Sequence, residues 1–272
     1  MKKLIEFYKP QETIPISITG QYCALDCAHC GGHFLKAMVP INMAFEEIRK
    51  RKSKSCLISG GCNANGKVPC ISSVQKEIAG FRNNHKINMH VGMIEDTEID
   101  EVCGLADVIS LDIPVSTRVV RDVYGLQYEY KDYISLYNKL RRKTAVVPHI
   151  CLGLTDSPEL KDEIALLEEL AIIKPEKLCY IIFTPVAGTK FESKKPPKIS
   201  AVSEFFKKTR TVLPDTQFYL GCMRPGGIYR DEIDVKAVEA GAQGIVMPSR
   251  KAVKGAQELG MEIIWKYECC SF

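Results

Sequence analysis

Strand-like and helix-like segments alternate eight times along the 272 residues of this chain. Each strand-like segment is a short apolar run, and amphipathic stretches lie between the runs. Because hairpin signals are missing between the units, the pattern predicts an α/β fold with a parallel sheet. Eight such units are typical of a closed (β/α)8 barrel, and a partial barrel of six units is the alternative. The predicted strands are Ile14–Thr19, Cys56–Ser59, Ile87–Val91, Val108–Ile113, Thr144–Leu152, Leu178–Phe183, Gln217–Gly221 and Gly244–Met247.

The pattern predicts one barrel domain over residues 1–260 and a short extension over residues 261–272. The extension contains Glu262-Ile263-Ile264-Trp265, which predicts an additional strand. It ends in Cys269-Cys270-Ser271-Phe272. The clearest predicted helices are Thr117–Arg141, Pro158–Ile172, Ser200–Val212 and Asp231–Ala240.

Composition narrows the class of protein. The net charge is +4, and no dense basic stripe with aromatic residues appears, so nothing indicates nucleic-acid binding. No apolar run reaches the length needed to cross a membrane, and the first residues lack the apolar core of a signal peptide. We therefore expect a cytoplasmic protein. In such a chain, twelve cysteines indicate metal or redox chemistry rather than disulfides.

Cys23, Cys27 and Cys30 follow the first predicted strand with the spacing C-x3-C-x2-C. Three thiolates on one short loop can hold three irons of a cubic iron–sulfur cluster and leave the fourth iron without a protein ligand. A small molecule can bind and react at such an open iron. With His33 as a fourth ligand, the same cysteines could instead form a closed zinc site. We favour the cluster, because zinc ligands usually come in two separated pairs and no second C-x2-C pair occurs here.

Further candidates lie where the predicted strands end, since the active site of a barrel forms from the loops at the carboxyl ends of its strands. Ser59-Gly60-Gly61-Cys62 follows the second strand, and its two glycines let the backbone come close to a ligand. Asp112 could bind a ribose hydroxyl, or instead cap a helix or form an ion pair. His149 is a candidate substrate contact or a structural histidine. Arg224 suits a substrate carboxylate.

The remaining cysteines fall into two sets. Cys56, Cys103, Cys151 and Cys179 lie in strand or helix contexts and are predicted to be core residues. Exposed thiols near an iron–sulfur centre oxidise unless they are ligated, so we predict an auxiliary cluster; the alternative is that these thiols are free. Its leading ligands are Cys62, Cys70, Cys269 and Cys270, with Cys222 and Cys56 in reserve and Ser271 as an oxygen ligand or neighbour.

The cysteine motif and its place after the first strand resemble the radical S-adenosylmethionine (SAM) enzymes. In that family the open iron binds SAM, and the reduced cluster splits it to a 5′-deoxyadenosyl radical that removes hydrogen from an unactivated C–H bond. The resemblance implies a SAM-binding [4Fe-4S] cluster on Cys23, Cys27 and Cys30. His29 stands where the family often has an aromatic residue. The resemblance also implies that Gly60 and Gly61 bind the SAM amino group, that Gly153 lies near the adenine and that Pro185 begins a Pro-x-x-Gly-Thr loop of the site. The complete set of predicted SAM-binding residues is His29, Ser59, Gly60, Gly61, Asp112, Gly153 and Pro185.

The whole chain resembles the biotin synthase-like branch of this family, which includes biotin synthase, a hydrogenase-maturation enzyme and methylornithine synthase. Cys-x-His-Cys-Gly-Gly, Pro-His-x-x-x-Gly-Leu, Gly-Cys-Met-Arg-Pro and a Cys/Ser-containing end most resemble the two-component lipoyl synthases. This implies sulfur insertion into an octanoyl chain on a carrier protein or peptide, with sulfur from the auxiliary [4Fe-4S] cluster. It also implies a second radical SAM subunit and an electron donor such as ferredoxin or flavodoxin.

Two other functions compete with sulfur insertion. The first is a radical SAM rearrangement or lyase reaction without an auxiliary cluster. The second is a non-catalytic subunit that holds an iron–sulfur cluster or zinc and supports a partner. SAM cleavage separates the second from any radical SAM enzyme, and the iron content separates the first from sulfur insertion.

Overall fold

The structure is a computed structural model that describes residues 3–69 and 71–272. It contains eight α-helices and eleven β-strands within those residues. The strands are β1 (Leu4–Tyr8), β2 (Thr13–Ser17), β3 (Val39–Pro40), β4 (Ser55–Ser59), β5 (Lys86–His90), β6 (Val108–Asp112), β7 (Ala145–Leu152), β8 (Lys177–Ile182), β9 (Gln217–Leu220), β10 (Gly244–Val246) and β11 (Glu262–Lys266). The helices are α1 (Ala44–Arg51), α2 (Gln75–Arg82), α3 (Ile99–Leu105), α4 (Tyr130–Leu140), α5 (Lys161–Ile173), α6 (Ile199–Val212), α7 (Gly227–Glu239) and α8 (Arg250–Glu258).

All eleven strands form one curled parallel sheet, in the order β11-β1-β10-β9-β8-β7-β6-β5-β4-β2-β3. The eight predicted strands are β2 and β4 to β10, and they are consecutive in this order. The sheet is open within the described residues, with β3 at one edge and β11 at the other. The α/β barrel prediction is therefore confirmed as a half-barrel, which is the partial form rather than the closed (β/α)8 ring.

The sequence also predicted the additional strand near the end of the chain, and that strand is β11, which pairs in parallel with β1. Two strands were missed. β1 precedes the first strand with a clear β-branched pattern, and β3 contains only two residues.

One long predicted helix, Thr117–Arg141, is divided in two. A π-helical turn over Val119–Val123 comes first, and α4 begins only at Tyr130. Gly125 adopts a left-handed φ of 72° and ends the first piece, where the Leu126 N–H donates to the Val120 carbonyl. A capping box between Glu129 and Asp132 then starts α4.

Two apolar regions lie on the two faces of the sheet. The larger one packs the outer face against the helices, with fully buried side chains such as Ile58, Tyr180 and Phe205. The smaller one lies on the inner face and includes Cys179 and Cys270. Within the described part of the chain, no helix combines the length and apolar character required to cross a bilayer.

Candidate metal centre and active site

The cysteine loop follows β2 at the carboxyl edge of the sheet, and its neighbours hold it from two sides. The Ala28 N–H donates to the Val123 carbonyl at 2.8 Å, and the Phe191 N–H donates to the Ala28 carbonyl at 2.8 Å. Inside the loop, the Cys30 N–H donates to the Cys27 carbonyl at 3.0 Å. The segments before α4 and before α6 therefore fix the positions of Cys27 and Cys30.

We call Cys23, Cys27 and Cys30 the loop thiols. Burial raises the pKa of Cys27 to about 12, and the charges of Cys30, Cys23 and Cys62 add to this shift. Burial also raises the pKa of Cys30, but main-chain N–H groups from Gly32 to Phe34 oppose the shift. Successive N–H groups that face one sulfur form an anion-binding nest. The loop is therefore built to stabilise thiolates once a metal replaces their protons.

The segment after β4 packs directly against this loop. A Cβ on Gly61 would lie 2.0 Å from the Tyr22 carbonyl oxygen and 2.6 Å from Cys23 Cα, so only glycine fits. The Gly61 N–H donates to Thr19 Oγ1 at 2.7 Å. The Cys62 N–H donates to Cys23 Sγ at 3.3 Å, and the Cys62 carbonyl accepts from the Ala24 N–H at 2.7 Å.

This packing separates Cys62 from its predicted partners. Its thiol lies near the loop thiols, since burial and then the charges of Cys23, Asp112 and Cys30 raise the pKa of Cys62 to about 12. Cys269 and Cys270 lie elsewhere, inside the barrel. Cys70 lies outside the described residues, so its predicted role stays a prediction.

A second set of thiols lies around the inner face of the sheet, where Cys179 and Cys270 are buried in the same apolar region. Cys269 is partly buried and Cys222 is exposed. We call Cys179, Cys222, Cys269 and Cys270 the inner thiols. The neighbouring Cys270 thiol and burial raise the pKa of Cys269 well above its ordinary value, and the Cys179 thiol and burial do the same for Cys270. Burial and then the charge of Cys269 raise the pKa of Cys222. These four sulfurs therefore form one electrostatically coupled group.

The last residues of the chain enter the barrel from the amino ends of its strands. Lys177, the first residue of β8, donates through Nζ to the carbonyls of Cys270 at 2.9 Å and Phe272 at 3.1 Å. The Cys269 N–H donates to Oγ1 of Thr13, the first residue of β2, at 2.8 Å. Polar side chains on β5 and β6 complete the attachment: Asn88 Nδ2 lies 3.5 Å from Cys269 Sγ, and the hydroxyls of Ser110 and Ser271 are 3.0 Å apart.

Cys179 was predicted to be a core residue, and the structure confirms this. It is buried in the smaller apolar region, on the inner face of the sheet beside Cys270. The alternation along β8 shows which face it occupies. Leu178, Tyr180 and Ile182 pack on the outer face, so Cys179 and Ile181 must point inward. Cys56, in contrast, is fully buried in the outer core as its default prediction stated, so it is not placed to serve as a reserve ligand.

Three polar side chains meet at the ends of neighbouring strands. His90 Nδ1 lies 3.9 Å from Asp112 Oδ2, and the rings of His90 and His149 are 5.3 Å apart. Desolvation would raise the pKa of Asp112, but the nearby His90 ring and the charges of His149 and His29 hold it below its ordinary value. The sequence missed His90, which a comparison of strand ends would have placed beside Asp112.

His149 is oriented by its own strand. Its Nδ1 lies 3.0 Å from the Val147 carbonyl oxygen. When Nδ1 carries the proton for this bond, Nε2 is left as a hydrogen-bond acceptor. His29 differs, because its Nδ1 is buried without a hydrogen-bond partner among the described residues. Burial lowers the pKa of His29 to about 4, so this ring is neutral at physiological pH.

The other predicted SAM-binding residues lie around the same mouth. Ser59 ends β4 and its carbonyl accepts from the Ile18 N–H at 2.8 Å, just before the cysteine loop. Gly153 follows β7, and its N–H donates to the buried Glu163 carboxylate at 2.9 Å. The turn that begins at Pro185 reaches the cysteine loop, since a Cβ on Gly31 would lie 3.4 Å from Thr189 Cγ2. The half-barrel thus brings together the ends of β2, β4, β7 and β8.

Arg224 does not have the surroundings of a carboxylate receptor. It is 3% exposed, and its Nε and Nη2 donate to the buried Asp234 carboxylate at 2.6 and 3.0 Å. Its Nη1 donates to the Gly221 carbonyl at 2.6 Å. Breaking such a buried pair costs about 3–5 kcal/mol, so the guanidinium is not free to bind a substrate carboxylate. The predicted substrate contact is thus replaced by a structural role, which holds the end of β9 against α7.

The donor set at the barrel mouth fits an iron–sulfur cluster. The loop thiols are partly buried, close together and surrounded by N–H donors, which favours cluster-bound thiolates. Within residues 3–69 and 71–272, no group of three or more His, Cys, Asp or Glu side chains is arranged as ligands of one metal ion. Cluster ligands each bind a different iron, so they need not converge on one point.

The curled parallel half-barrel defines the structural class of this chain, and solved structures share that fold. No family model and no curated protein matches the sequence. The [FeFe]-hydrogenase maturase HydG matches with a TM-score of 0.68 and 13% identity, over 97% of this chain and 65% of HydG. Methylornithine synthase (PylB) matches with a TM-score of 0.67 and 12% identity, over 96% of this chain and 84% of that protein.

SuiB of Streptococcus suis, solved with bound S-adenosylmethionine, matches with a TM-score of 0.54 and 13% identity, over 85% of this chain and 49% of SuiB. The chain thus spans about half of SuiB and less than two thirds of HydG. At these identities the matches show a common fold. That fold is the one expected from the resemblance to the hydrogenase-maturation enzyme and methylornithine synthase.

Proposed function

We propose that this chain is a radical SAM enzyme. The observation that carries the proposal is the meeting of the loop thiols with the Gly61–Cys62 segment at the carboxyl edge of a curled parallel sheet. That edge is where barrels of this kind hold their active sites. Cys23, Cys27 and Cys30 would hold a [4Fe-4S] cluster with one open iron. The fold shared with methylornithine synthase and with SAM-bound SuiB supports the proposal.

When bound, the cluster and SAM would supply a 5′-deoxyadenosyl radical by one-electron cleavage of the sulfonium. The chain's own residues bind and orient the cofactor. The main chain at Gly60 and Gly61 would accept the SAM amino group, and Asp112 would bind the ribose. Its depressed pKa keeps Asp112 ionised, as an acceptor of ribose hydroxyls must be. His29, neutral and partly buried, would cover the cluster with a ring.

The proposed reaction is sulfur insertion into an octanoyl chain on a carrier protein or peptide. An auxiliary cluster would supply the sulfur, and the inner thiols are its ligands in this proposal. They replace the predicted set because Cys62 lies with the loop thiols, whereas Cys179 and Cys222 lie with Cys269 and Cys270. The residues around the barrel would position the octanoyl chain and the sulfur. A second radical SAM subunit and a ferredoxin or flavodoxin complete the proposed system.

A second candidate is favoured by one observation. His90, Asp112 and His149 make part of the site polar, whereas an alkyl chain suits an apolar cavity. These three side chains would suit a substrate with hydrogen-bonding groups near the reacting carbon. The second candidate is therefore a radical SAM rearrangement or lyase reaction on a small polar substrate, without sulfur insertion.

The test is anaerobic incubation of the reconstituted chain with SAM and dithionite, with and without an octanoyl-lysyl peptide. Production of 5′-deoxyadenosine supports a radical SAM enzyme, and its absence contradicts the proposal. Added sulfur on the peptide, seen by mass spectrometry, supports sulfur insertion. Cleavage of SAM without any mass gain, with about four rather than about eight irons per chain, favours the second candidate. Cys103→Ala, on α3 and away from both thiol groups, is the matched control.

A further inference from the structure

Cys62 is a fourth thiol at the proposed cluster, and the proposed function gives it no task. Both main-chain polar groups of Cys62 form hydrogen bonds with the cysteine loop. Its N–H donates to Cys23 Sγ at 3.3 Å, and its carbonyl accepts from the Ala24 N–H at 2.7 Å. The residue is partly buried and packs against the larger apolar region.

The chain on either side keeps Cys62 in this place. Before it, Gly61 is pressed against Tyr22 and Cys23 so closely that no side chain would fit. After it, Asn63 closes a tight turn: its N–H donates to the Lys67 carbonyl at 2.8 Å, and its Oδ1 accepts from the Lys67 N–H at 3.1 Å. A segment held on both sides cannot carry the thiol away from the loop without breaking these bonds.

The surroundings of the thiol suit a metal ligand. Its main-chain N–H lies 3.3 Å from Cys23 Sγ, so the thiol of the same residue lies beside the site that the loop thiols would form. Three loop thiols leave one iron of a cubic cluster free. A fourth thiol attached to the loop in this way is a protein donor within reach of that iron.

We propose that Cys62 is an exchangeable fourth ligand of the cluster held by the loop thiols, which binds the free iron until SAM displaces it. The inference rests on the proposed function, since it requires a cluster on Cys23, Cys27 and Cys30. It deepens that function by assigning a resting state to the same site, in which the open iron is protected.

The exchange balances without any redox partner. When the resting state forms, the Cys62 thiol loses its proton to solvent and an Fe–S bond forms. When SAM binds, that bond breaks, the amino and carboxylate groups of SAM bind the iron, and the released thiolate takes a proton back. The oxidation state of the cluster does not change. SAM must therefore compete with a tethered ligand, so its apparent Kd equals the intrinsic Kd divided by the fraction of clusters that are uncapped.

The decisive measurement uses the intact reconstituted chain labelled with ⁵⁷Fe. In the Mössbauer spectrum of the oxidised [4Fe-4S] cluster without SAM, we expect no distinct fourth iron, because all four irons carry a thiolate. Addition of SAM should produce one iron whose Mössbauer parameters differ from those of the other three. A distinct fourth iron already present without SAM overturns the inference, while the proposed function survives. Absence of any cluster on the loop thiols contradicts both the inference and the proposed function.

A variant pair gives a second, independent test. Mild ferricyanide oxidation without SAM should convert little of the wild-type cluster to a [3Fe-4S] form, as seen by electron paramagnetic resonance, because the fourth iron is capped. Cys62→Ala should convert most of its cluster and bind SAM about tenfold more tightly, if about a tenth of wild-type clusters are uncapped. Equal conversion in wild type and Cys62→Ala contradicts the inference. Cys103→Ala should behave like wild type.

Discussion

The loop thiols and the inner thiols are built in opposite ways. The loop thiols come from eight consecutive residues, Cys23 to Cys30, after one strand. The inner thiols come from β8, from the residue that follows Gly221 after β9, and from the last residues of the chain. A local motif can be recognised in the sequence because its spacing is fixed by the covalent chain. The inner thiols come together only after the sheet has curled and the last residues of the chain have packed against the amino ends of its strands.

The two groups also differ in their surroundings. Main-chain N–H groups face the loop thiols, notably around Cys30, which favours negative charge on sulfur. The inner thiols lie close to the Lys177 side chain that binds the end of the chain, and Asn88 Nδ2 lies 3.5 Å from Cys269 Sγ. The first group can therefore hold an ion-like cofactor open to solvent, whereas the second would hold one inside the barrel.

The largest expected effect tests the loop thiols. Replacing Cys23, Cys27 or Cys30 with Ala should remove about four irons per chain and reduce 5′-deoxyadenosine formation to background. The physical reason is that each thiolate binds a different iron, so the loss of one leaves a second iron open. Iron and sulfide analysis with product chromatography checks this. Persistent SAM cleavage in any of the three variants would show that the cluster is held elsewhere.

The next effect tests the inner thiols against the set predicted from sequence. Cys179→Ala and Cys270→Ala should each lower the iron content from about eight to about four per chain, with SAM cleavage retained. Cys62→Ala should leave the inner cluster intact. Iron analysis of the three variants decides between the two ligand sets. If Cys62→Ala loses the auxiliary cluster and Cys179→Ala keeps it, the inner thiols are not the ligands of that cluster.

Two glycines, each packed against one of the two thiol groups, allow each group to be disturbed separately. A Cβ on Gly61 would meet Tyr22 and Cys23, whereas a Cβ on Gly221 would lie 2.8 Å from Cys179 Sγ and Ile181 Cγ2. Gly61→Ala should therefore reduce the iron held by the loop thiols, and Gly221→Ala the iron held by the inner thiols. Each should lower the free energy of unfolding by about 1–3 kcal/mol, the usual cost of overpacking.

The matched control for both glycine variants is Gly104→Ala. Gly104 lies in α3, and a Cβ there would meet nothing within 4 Å. This variant should keep its iron and be as stable as wild type or slightly more so, because Ala favours helix over Gly. Urea unfolding and iron analysis measure both properties. Iron loss in Gly104→Ala would mean that the glycine effects are not local.

The smallest effect concerns Glu163 on α5, which contacts the segment after β7. The fully buried Glu163 accepts from the Gly153 N–H through Oε1, while Oε2 has no partner among the described residues. Burial raises the pKa of Glu163. Since its folded pKa exceeds the unfolded value of about 4.3, its contribution to stability is greatest below that pH and falls as the pH rises through the folded pKa.

Glu163→Gln keeps an acceptor for Gly153 and removes the buried charge. We expect the free energy of unfolding at pH 7 to rise by about 1–3 kcal/mol and the gain to disappear towards pH 4. Urea unfolding at several pH values checks the sign. A difference between the two proteins that does not change with pH would show that Glu163 does not titrate on unfolding.

The sequence by itself determined nine of the eleven described strands, namely β2, β4 to β10 and β11, together with the three loop thiols. Strand and helix periodicity is a local property, and so is the spacing of Cys23, Cys27 and Cys30. Only the tertiary structure decided that Cys62 belongs to the loop thiols, that Cys179 belongs to the inner thiols and that Arg224 is paired with Asp234. Those relations join residues distant in sequence, and the curl of the sheet and the path of the last residues into the barrel create them. No spacing along the chain encodes such distances.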